Sequence, residues 1–324
     1  MNLITFIMYL GGFNIKVIVF GSKGMVGSSV FRKLKSSSKI TDLLGSSRED
    51  TDLFSFSETK KTITDYKPDI IINAAAKVGG INANNTYRTD FIIENLKINM
   101  NILESSINNP KISIINLGSS CIYPLGSPNP IKEDSFMNGK LEPTNSPYAM
   151  AKIASIEIGR SINQQYGNKV VNLMPTNLYG INDYFSHYDS HVIPGLIARM
   201  DSAKSSNNKT FEIWGSGRPL REFLYVDDLA DAVEFLIDKD IKFDLLNVGS
   251  GEEISINDLA VKVKRLMNYE GNLEFNENMP DGNPRKLLDS SLINSLGWES
   301  QTTLDKGLDL TINWFNENKE SIRK

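Results

Sequence analysis

Residues 16–27 read K-V-I-V-F-G-S-K-G-M-V-G, and this stretch decides the fold. The apolar run Val17–Phe20 is continuous rather than alternating, the pattern of a strand buried on both faces of a parallel sheet. Glycines stand at positions 21, 24 and 27, and Met25–Leu34 then carries apolar residues at helical spacing. Strand, glycine triplet and helix in that order are the context a dinucleotide fingerprint requires. Gly21 permits the tight turn, Gly24 removes a Cβ that would block a pyrophosphate, and Gly27 lets the helix lie close to the sheet. The phosphates would then meet backbone N–H groups at the helix N-terminus.

The same texture continues outward. A second strand is expected near Ile40–Leu44, and buried strands at 69–76 (D-I-I-I-N-A-A-A), 112–117 (I-S-I-I-N-L) and 170–174 (V-V-N-L-M). Helical periods run over Phe91–Ile107 and Pro147–Tyr166. This alternation predicts an α/β protein, a Rossmann-type doubly wound parallel sheet, with a smaller mixed α/β C-terminal substrate lobe. After Gly180 the chain turns to loops, then a strand–helix–strand returns between 222 and 249. The expected division is therefore 15–178 plus 222–249 for the NADP(H)-binding domain, and 179–221 plus 250–324 for the substrate domain. Residues 1–14 are expected to be an N-terminal extension, since they are apolar but too short to span a bilayer and lack a basic region and cleavage site.

Composition excludes several classes. Charged residues make up 23% and hydrophobic ones 40% of 324, an ordinary globular balance. The net charge of −4, with no basic stripe along a helix, argues against a nucleic-acid partner. A single cysteine forbids an internal disulfide and suits a reducing compartment, so a cytoplasmic protein with no membrane partner and no metal is expected.

Three further features bear on chemistry. An NAD enzyme would place an acidic residue after the second strand to hold the ribose 2′-OH; here that stretch is L-G-S-S-R-E-D (44–50). Lys23 and Arg48 could instead pair with a 2′-phosphate, which favours NADP(H). Tyr148 and Lys152, in Y-A-M-A-K, share one helix face at i,i+4 spacing. A cation beside a phenol favours the phenolate, and such a phenol can protonate a carbonyl oxygen as hydride arrives. Ser119 and Ser120, just after the strand, offer hydroxyl donors to the same oxygen. Cys121, the sole thiol, follows them; taken alone it reads first as a small packed hydrophobe.

The glycine loop, the Tyr148–Lys152 pair and the serines together resemble the extended short-chain dehydrogenase/reductase family. The likeness runs from about residue 16 to the C-terminus. It rests also on N-A-A-A-K-V-G-G-I-N-A-N-N-T-Y (73–87), L-G-S-S-C-I-Y-P (117–124), L-E-P-T-N-S-P-Y-A-M-A-K (141–152), M-P-T-N-L-Y-G (174–180), S-H-V-I-P (190–194), W-G-S-G-R-P-L-R-E-F-L-Y-V-D-D (214–228) and P-D-G-N-P-R-K-L-L-D (280–289). These are motifs of the members that act on GDP-4-keto-6-deoxy sugars, and the resemblance implies a GDP-sugar substrate, 3,5-epimerisation, then NADPH-dependent reduction at C4. It implies that Cys121 removes the C3 and C5 protons, that His191 returns one from the opposite ring face, and that Tyr148, Lys152 and Ser119 serve the reduction. It assigns Met25, Val26, Ala75, Pro175, Asn177, Leu178, Lys152 and His191 to the cofactor alongside the glycine loop. Ser120, Asn177, Arg199, Trp214, Arg221 and Lys286 fall to the substrate, the three cations to its GDP part. Family members are usually homodimers, through helices such as those at 91–107 and 147–166. Lys23 stands where these relatives usually have arginine, and Ser46 replaces a second one, so NADP preference is expected to be weaker. His187, outside any matching motif, is expected to be an ordinary surface residue. Other readings are a related enzyme for another GDP-4-keto sugar such as a deoxyheptose, a GDP-mannose dehydratase, disfavoured because an acid pair would replace Ser120–Cys121, and a non-catalytic NADP-binding regulator, disfavoured by the presence of both Tyr148 and Lys152.

Overall fold

The computed structural model describes residues 15–279 and 281–322; the expected extension 1–14 lies outside them. In chain order the first half runs β1 (Ile15–Phe20), α1 (Met25–Lys35), β2 (Ile40–Ser46), α2 (Phe56–Tyr66), β3 (Ile70–Asn73), α3 (Ile81–Thr86), α4 (Arg88–Ser106), β4 (Ser113–Leu117), α5 (Ser146–Tyr166) and β5 (Lys169–Pro175). The second half runs β6 (Asn177–Tyr179), α6 (Val192–Ser205), β7 (Thr210–Trp214), β8 (Leu220–Tyr225), α7 (Val226–Leu236), β9 (Leu245–Val248), β10 (Glu253–Ser255), α8 (Ile256–Leu266), β11 (Asn272–Asn276), β12 (Arg285–Lys286), α9 (Ser291–Ser295) and α10 (Leu304–Asn318).

Six strands form one sheet in the order β2-β1-β3-β4-β5-β9, every neighbouring pair parallel. The doubly wound fold is the expected one. Its two faces are visible within β1: Val17 and Val19 pack into a core with Leu229, Val233 and Leu246, whereas Ile18 and Phe20 join Ile71, Ile102 and Ile114 on the other side. Each such fully buried side chain contributes roughly 1.5–3 kcal/mol relative to exposure, which is why the strand needs apolar residues at every position. The next strand in sequence after β1 lies on one side of it and β3 lies on the other. That reversal opens a crevice at the carboxyl ends of the strands, where ligands bind in such sheets.

A second sheet joins β10, β8 and β12, with β6 also pairing β8, and β11 pairs β7 separately. Within the returning segment 222–249 the partition is uneven. Strand β8 belongs to this second sheet, while α7 packs on α1 and β9 closes the edge of the first. A separate core, with Phe185, Leu196, Phe211, Leu259 and Leu308, holds the second sheet to its helices. Between the two sheets the carboxyl ends of β1, β4, β5 and β6 face the elements that carry the remaining polar groups.

Candidate active site

The glycine turn is built as the sequence requires. Gly21 has φ +79°, and its N–H donates to Ser46 O at 2.8 Å. A Cβ on Gly27 would lie 2.1 Å from Gly21 O, so only glycine lets α1 pack this close. Gly24, the N-cap of α1, has no side-chain cap, and no acid occupies the first turn. A Cβ on Gly24 would touch only Gly21 O, at 3.4 Å, so the space before the helix dipole is open. Unsatisfied N–H groups, an uncompensated positive helix end and this open cradle fit a dinucleotide pyrophosphate. Met25 and Val26 begin the helix there, and Ala75 packs against Gly21 from β3's end. Arg48 is exposed, and Lys23 forms an exposed ion pair with Glu49. Such a surface pair is worth roughly 0–1 kcal/mol, so it does not bar Lys23 from a phosphate.

Past β4 the chain enters a 3-10 turn, Ser120–Ile122. Ser119 Oγ accepts the Cys121 backbone N–H at 3.2 Å, and the same side chain lies near enough to the Tyr148 phenol to favour its ionised form. Lys152, 2% exposed, donates from Nζ to Leu117 O at 2.8 Å and stands 5.8 Å from the centre of the Tyr148 ring. Burial alone brings its ammonium down to about 8. The same burial pushes Tyr148 above the ordinary phenol range; charge at Cys121 adds to this, and the Ser119 hydrogen bond opposes it. This corrects the expectation that the lysine would favour the phenolate. Desolvation outweighs a cation at that distance, and Tyr148 keeps the proton it would donate.

Cys121 itself is half-buried. Asn145 Nδ2 and Lys286 Nζ approach its sulfur at 3.5 and 3.6 Å. Ser120 is 3% exposed and is not part of the lining of the cavity described next.

That cavity, of about 400 Å³, lies between the sheets. Asn177, Leu178, His191, Arg199, Trp214 and Arg221 line it, joining six expected positions from β6, α6, β7 and β8. Ser119, Cys121, Tyr148 and Lys286 lie just beyond this lining: Thr144, which lines it, precedes Asn145, and Arg221 pairs in register with Lys286. His191 is the N-cap of α6 and is open to the cavity, while the protein surrounding it holds its imidazole below the ordinary value. Its loop is pressed on the Gly79–Gly80 turn. Gly80 N donates to Asp189 O at 2.7 Å, and a Cβ on Gly80 would meet Ser190 O at 2.3 Å. Pro175 ends β5, beside Asn177, whose Nδ2 donates to Glu222 O at 2.8 Å.

Arg199 lies 4.2 Å over the Trp214 ring, which stacks in turn on Tyr188 with ring centres 6.0 Å apart. The Arg199 Nη1 donates to Glu212 O, but its Nε is buried without a partner. Burial lowers both Arg199 and Arg221 from the usual guanidinium range, the mark of cations enclosed by protein.

Sequence reasoning missed several of these groups. His187 is exposed, as expected, and hydrogen-bonds Ser202 at 3.0 Å, but it also lines the cavity, which the sequence did not suggest. Tyr188 and Asp281 line the cavity too, with Asp281 accepting from Ser216 N and Oγ at 2.7 Å. Glu222, fully buried, accepts from Gly251 N and Leu288 N and so ties β8 to β12's extension. Asp281, Glu222 and Asn145 lay inside quoted motifs without a role; His187 carried no local signal.

Residues 17–249 match the NAD dependent epimerase/dehydratase family. The chain is 46% identical over 303 residues to the putative GDP-L-fucose synthase 2 of Arabidopsis thaliana, covering 94% of this chain and 92% of that one. It is 40% identical over 317 residues to the GDP-L-fucose synthase of Escherichia coli K12, covering 95% and 98%. Among solved structures, a GDP-L-fucose synthetase of Naegleria fowleri bound to NADP superposes with a TM-score of 0.87 at 27% identity, covering 96% of each chain.

Proposed function

The chain belongs to the NAD dependent epimerase/dehydratase family, within the extended short-chain dehydrogenases, and we propose that it performs the reaction of a GDP-L-fucose synthase. That reaction is 3,5-epimerisation of GDP-4-keto-6-deoxymannose followed by reduction at C4. One observation carries this reading: Ser119 accepts the Cys121 backbone N–H, and both Ser119 and Cys121 act on the nearby Tyr148 phenol, so a proton-abstracting sulfur and a proton-donating hydroxyl share one small volume.

A ketone at C4 acidifies the hydrogens on C3 and C5. The Cys121 sulfur takes each as a proton, leaving the electron pair on the ketone oxygen as an enolate. His191, facing the cavity from the start of α6, returns a proton to the opposite face. Its depressed basicity keeps a protonated imidazole a willing donor. The glycine turn and the open N-terminus of α1 would hold NADPH, which when bound would supply the hydride for C4. Tyr148 gives its retained proton to the C4 oxygen, with Ser119 as a second donor and Lys152 stabilising the phenolate left behind. Arg199, whose buried Nε has no partner, and Arg221 suit the oxygens of a diphosphate. Trp214 and Tyr188 offer planes to the base.

The site residues are tested together by supplying NADPH and GDP-4-keto-6-deoxymannose in deuterated water. Loss of the nicotinamide absorbance with formation of GDP-L-fucose deuterated at C3 and C5 is expected. No consumption with this hexose, but consumption with a GDP-4-keto-deoxyheptose, would reassign the substrate. Cys121→Ser should abolish deuterium incorporation while NADPH binding stays intact.

We further place the enzyme as a homodimer in the cytoplasm. Ile93 and Met100, seven residues apart on α4, are each 45% exposed, and Met150 on the adjoining α5 is 48% exposed. An apolar face of that kind suits a second copy, and a thiol that must stay reduced suits a reducing compartment. Sedimentation of the full chain at twice its 36.2 kDa mass is expected. No helix among the described residues is long and apolar enough to cross a membrane.

A further inference from the structure

We propose that Lys286, seconded by Asn145, acts at the sulfur of Cys121 as a positioning residue for proton abstraction, rather than on the substrate's diphosphate. The inference rests on the reading of Cys121 as the base.

The geometry is specific. Lys286 Nζ lies 3.6 Å and Asn145 Nδ2 3.5 Å from Sγ, so two N–H donors converge on one sulfur. Lys286 sits on β12 directly across from Arg221 on β8, and register partners on neighbouring strands project to the same side. Arg221 lines the cavity and interacts electrostatically with Cys121, so the thiol faces a wall of two cations. The adjacent Arg285 faces the other way and forms an ion pair with Glu253 at 2.8 Å. Among the described residues no carboxylate pairs with Lys286, and its charge is therefore directed to the sulfur.

The backbone holding Lys286 is fixed on both sides. Leu287 N donates to Asn129 Oδ1 at 2.7 Å, Leu288 N donates to Glu222 Oε2 at 3.0 Å, and Leu220 N donates to Pro284 O at 2.9 Å. Asn145 is placed by its own backbone, whose N–H donates to Glu142 Oε2 at 3.2 Å just before α5 begins. The Asn145 amide oxygen is buried with no partner, so its orientation serves the sulfur and not its own acceptor.

The chemistry explains why such donors are needed. In the step they assist, a sugar C–H bond breaks, an S–H bond forms, and the electron pair moves onto the ketone oxygen. The sulfur must turn a free lone pair to that hydrogen, and an ammonium and an amide N–H aimed at it hold it in place. An amide donor adds a fixed direction to the lone pair. A cation on the diphosphate would leave this step unchanged and act on binding alone.

Because Cys121 is the chain's only cysteine, alkylation by iodoacetamide reports on this sulfur without substrate. Lys286→Met is expected to slow alkylation of the full-length enzyme at pH 7 by about tenfold. Deuterium exchange at C3 and C5 should slow in parallel through kcat, with KM for the nucleotide sugar and NADPH affinity little changed. Lys286→Arg should restore much of both rates. Asn145→Ala, a second variant independent of β12, should slow alkylation by a smaller factor. The proposal is overturned if Lys286→Met keeps the parental alkylation profile and raises KM alone, or, should that variant not fold, if Asn145→Ala and Lys286→Gln both alkylate at the parental rate. Exchange that survives Cys121→Ser would defeat the base assignment itself. Exchange lost in Cys121→Ser but kept in Lys286→Met would defeat only the role of Lys286.

Discussion

On the cofactor side of the cleft, β1, its glycine turn and α1 are consecutive, and residues 16–27 contain nearly everything the turn needs. On the substrate side, Cys121 meets Lys286 from 165 residues away, Arg221 arrives on a strand of a different sheet, and His191 caps a helix of the second core. The first region is specified locally and fails locally. The second exists only when β12 has docked on β8 and the 186–191 loop has settled on Gly80. In the proposed reaction the chemistry falls at their junction, on the serine turn after β4, so that each half can be broken while the other is observed.

The sharpest separation should come from Tyr148→Phe. Removing the donor hydroxyl is expected to slow reduction by roughly 10²–10⁴-fold, while deuterium exchange at C3 and C5 continues, read by mass spectrometry of the sugar. Equal loss of both activities would show that the junction cannot be divided in this way. Next in size is Gly27→Ala. Its methyl carbon would be placed 2.1 Å from the backbone of Gly21, and overpacking of this kind costs about 1–3 kcal/mol. NADPH affinity should fall by roughly ten- to a hundredfold on that ground, with iodoacetamide alkylation of Cys121 unaltered. A matching change in alkylation would mean that the two regions are coupled through the sheet.

A pH titration sharpens the junction itself. Lys152 titrates at about 8 in the folded protein because of burial, below its ordinary 10.5. As pH rises through about 8 the ammonium is lost, and reduction should decline by up to tenfold per unit, while Lys152→Met should lack this limb. Stability moves oppositely. Between about 8 and 10.5 the unfolded chain binds the proton that the folded one has released, so this group's contribution rises with pH across that window. The smallest effect is expected at Arg285→Ala. Its pair with Glu253 is exposed and should be worth roughly 0–1 kcal/mol, visible as a shift of a few degrees or less in Tm. A loss of exchange in this variant would place the pair, and not the β12 backbone bonds, in control of Lys286.

Several residues show where sequence reading ends. Val17, Val19, Ile18 and Phe20 announce a strand buried on both faces because each position must meet a core, and both cores are present. The asparagines at the same level of β3, β4 and β5 are a different matter. Asn73, Asn116 and Asn172 are mutual register partners, fully buried, and Asn116 accepts from Asn73 at 2.9 Å and donates to Asn172 at 2.9 Å. Each looks like an isolated polar interruption in its own strand, and only the stacking of the three strands shows how they satisfy one another.

Residue types at fixed short spacing, a glycine triplet after an apolar run and a tyrosine four residues before a lysine, already determined the sheet, its glycine turn and the neighbouring phenol and ammonium, because backbone geometry makes such spacings contacts. Tertiary structure alone decided which way Tyr148 titrates, that Lys286 turns to a sulfur, and that His187 lines a cavity. Desolvation and the meeting of distant side chains depend on everything packed around a group, and no window of sequence contains those neighbours.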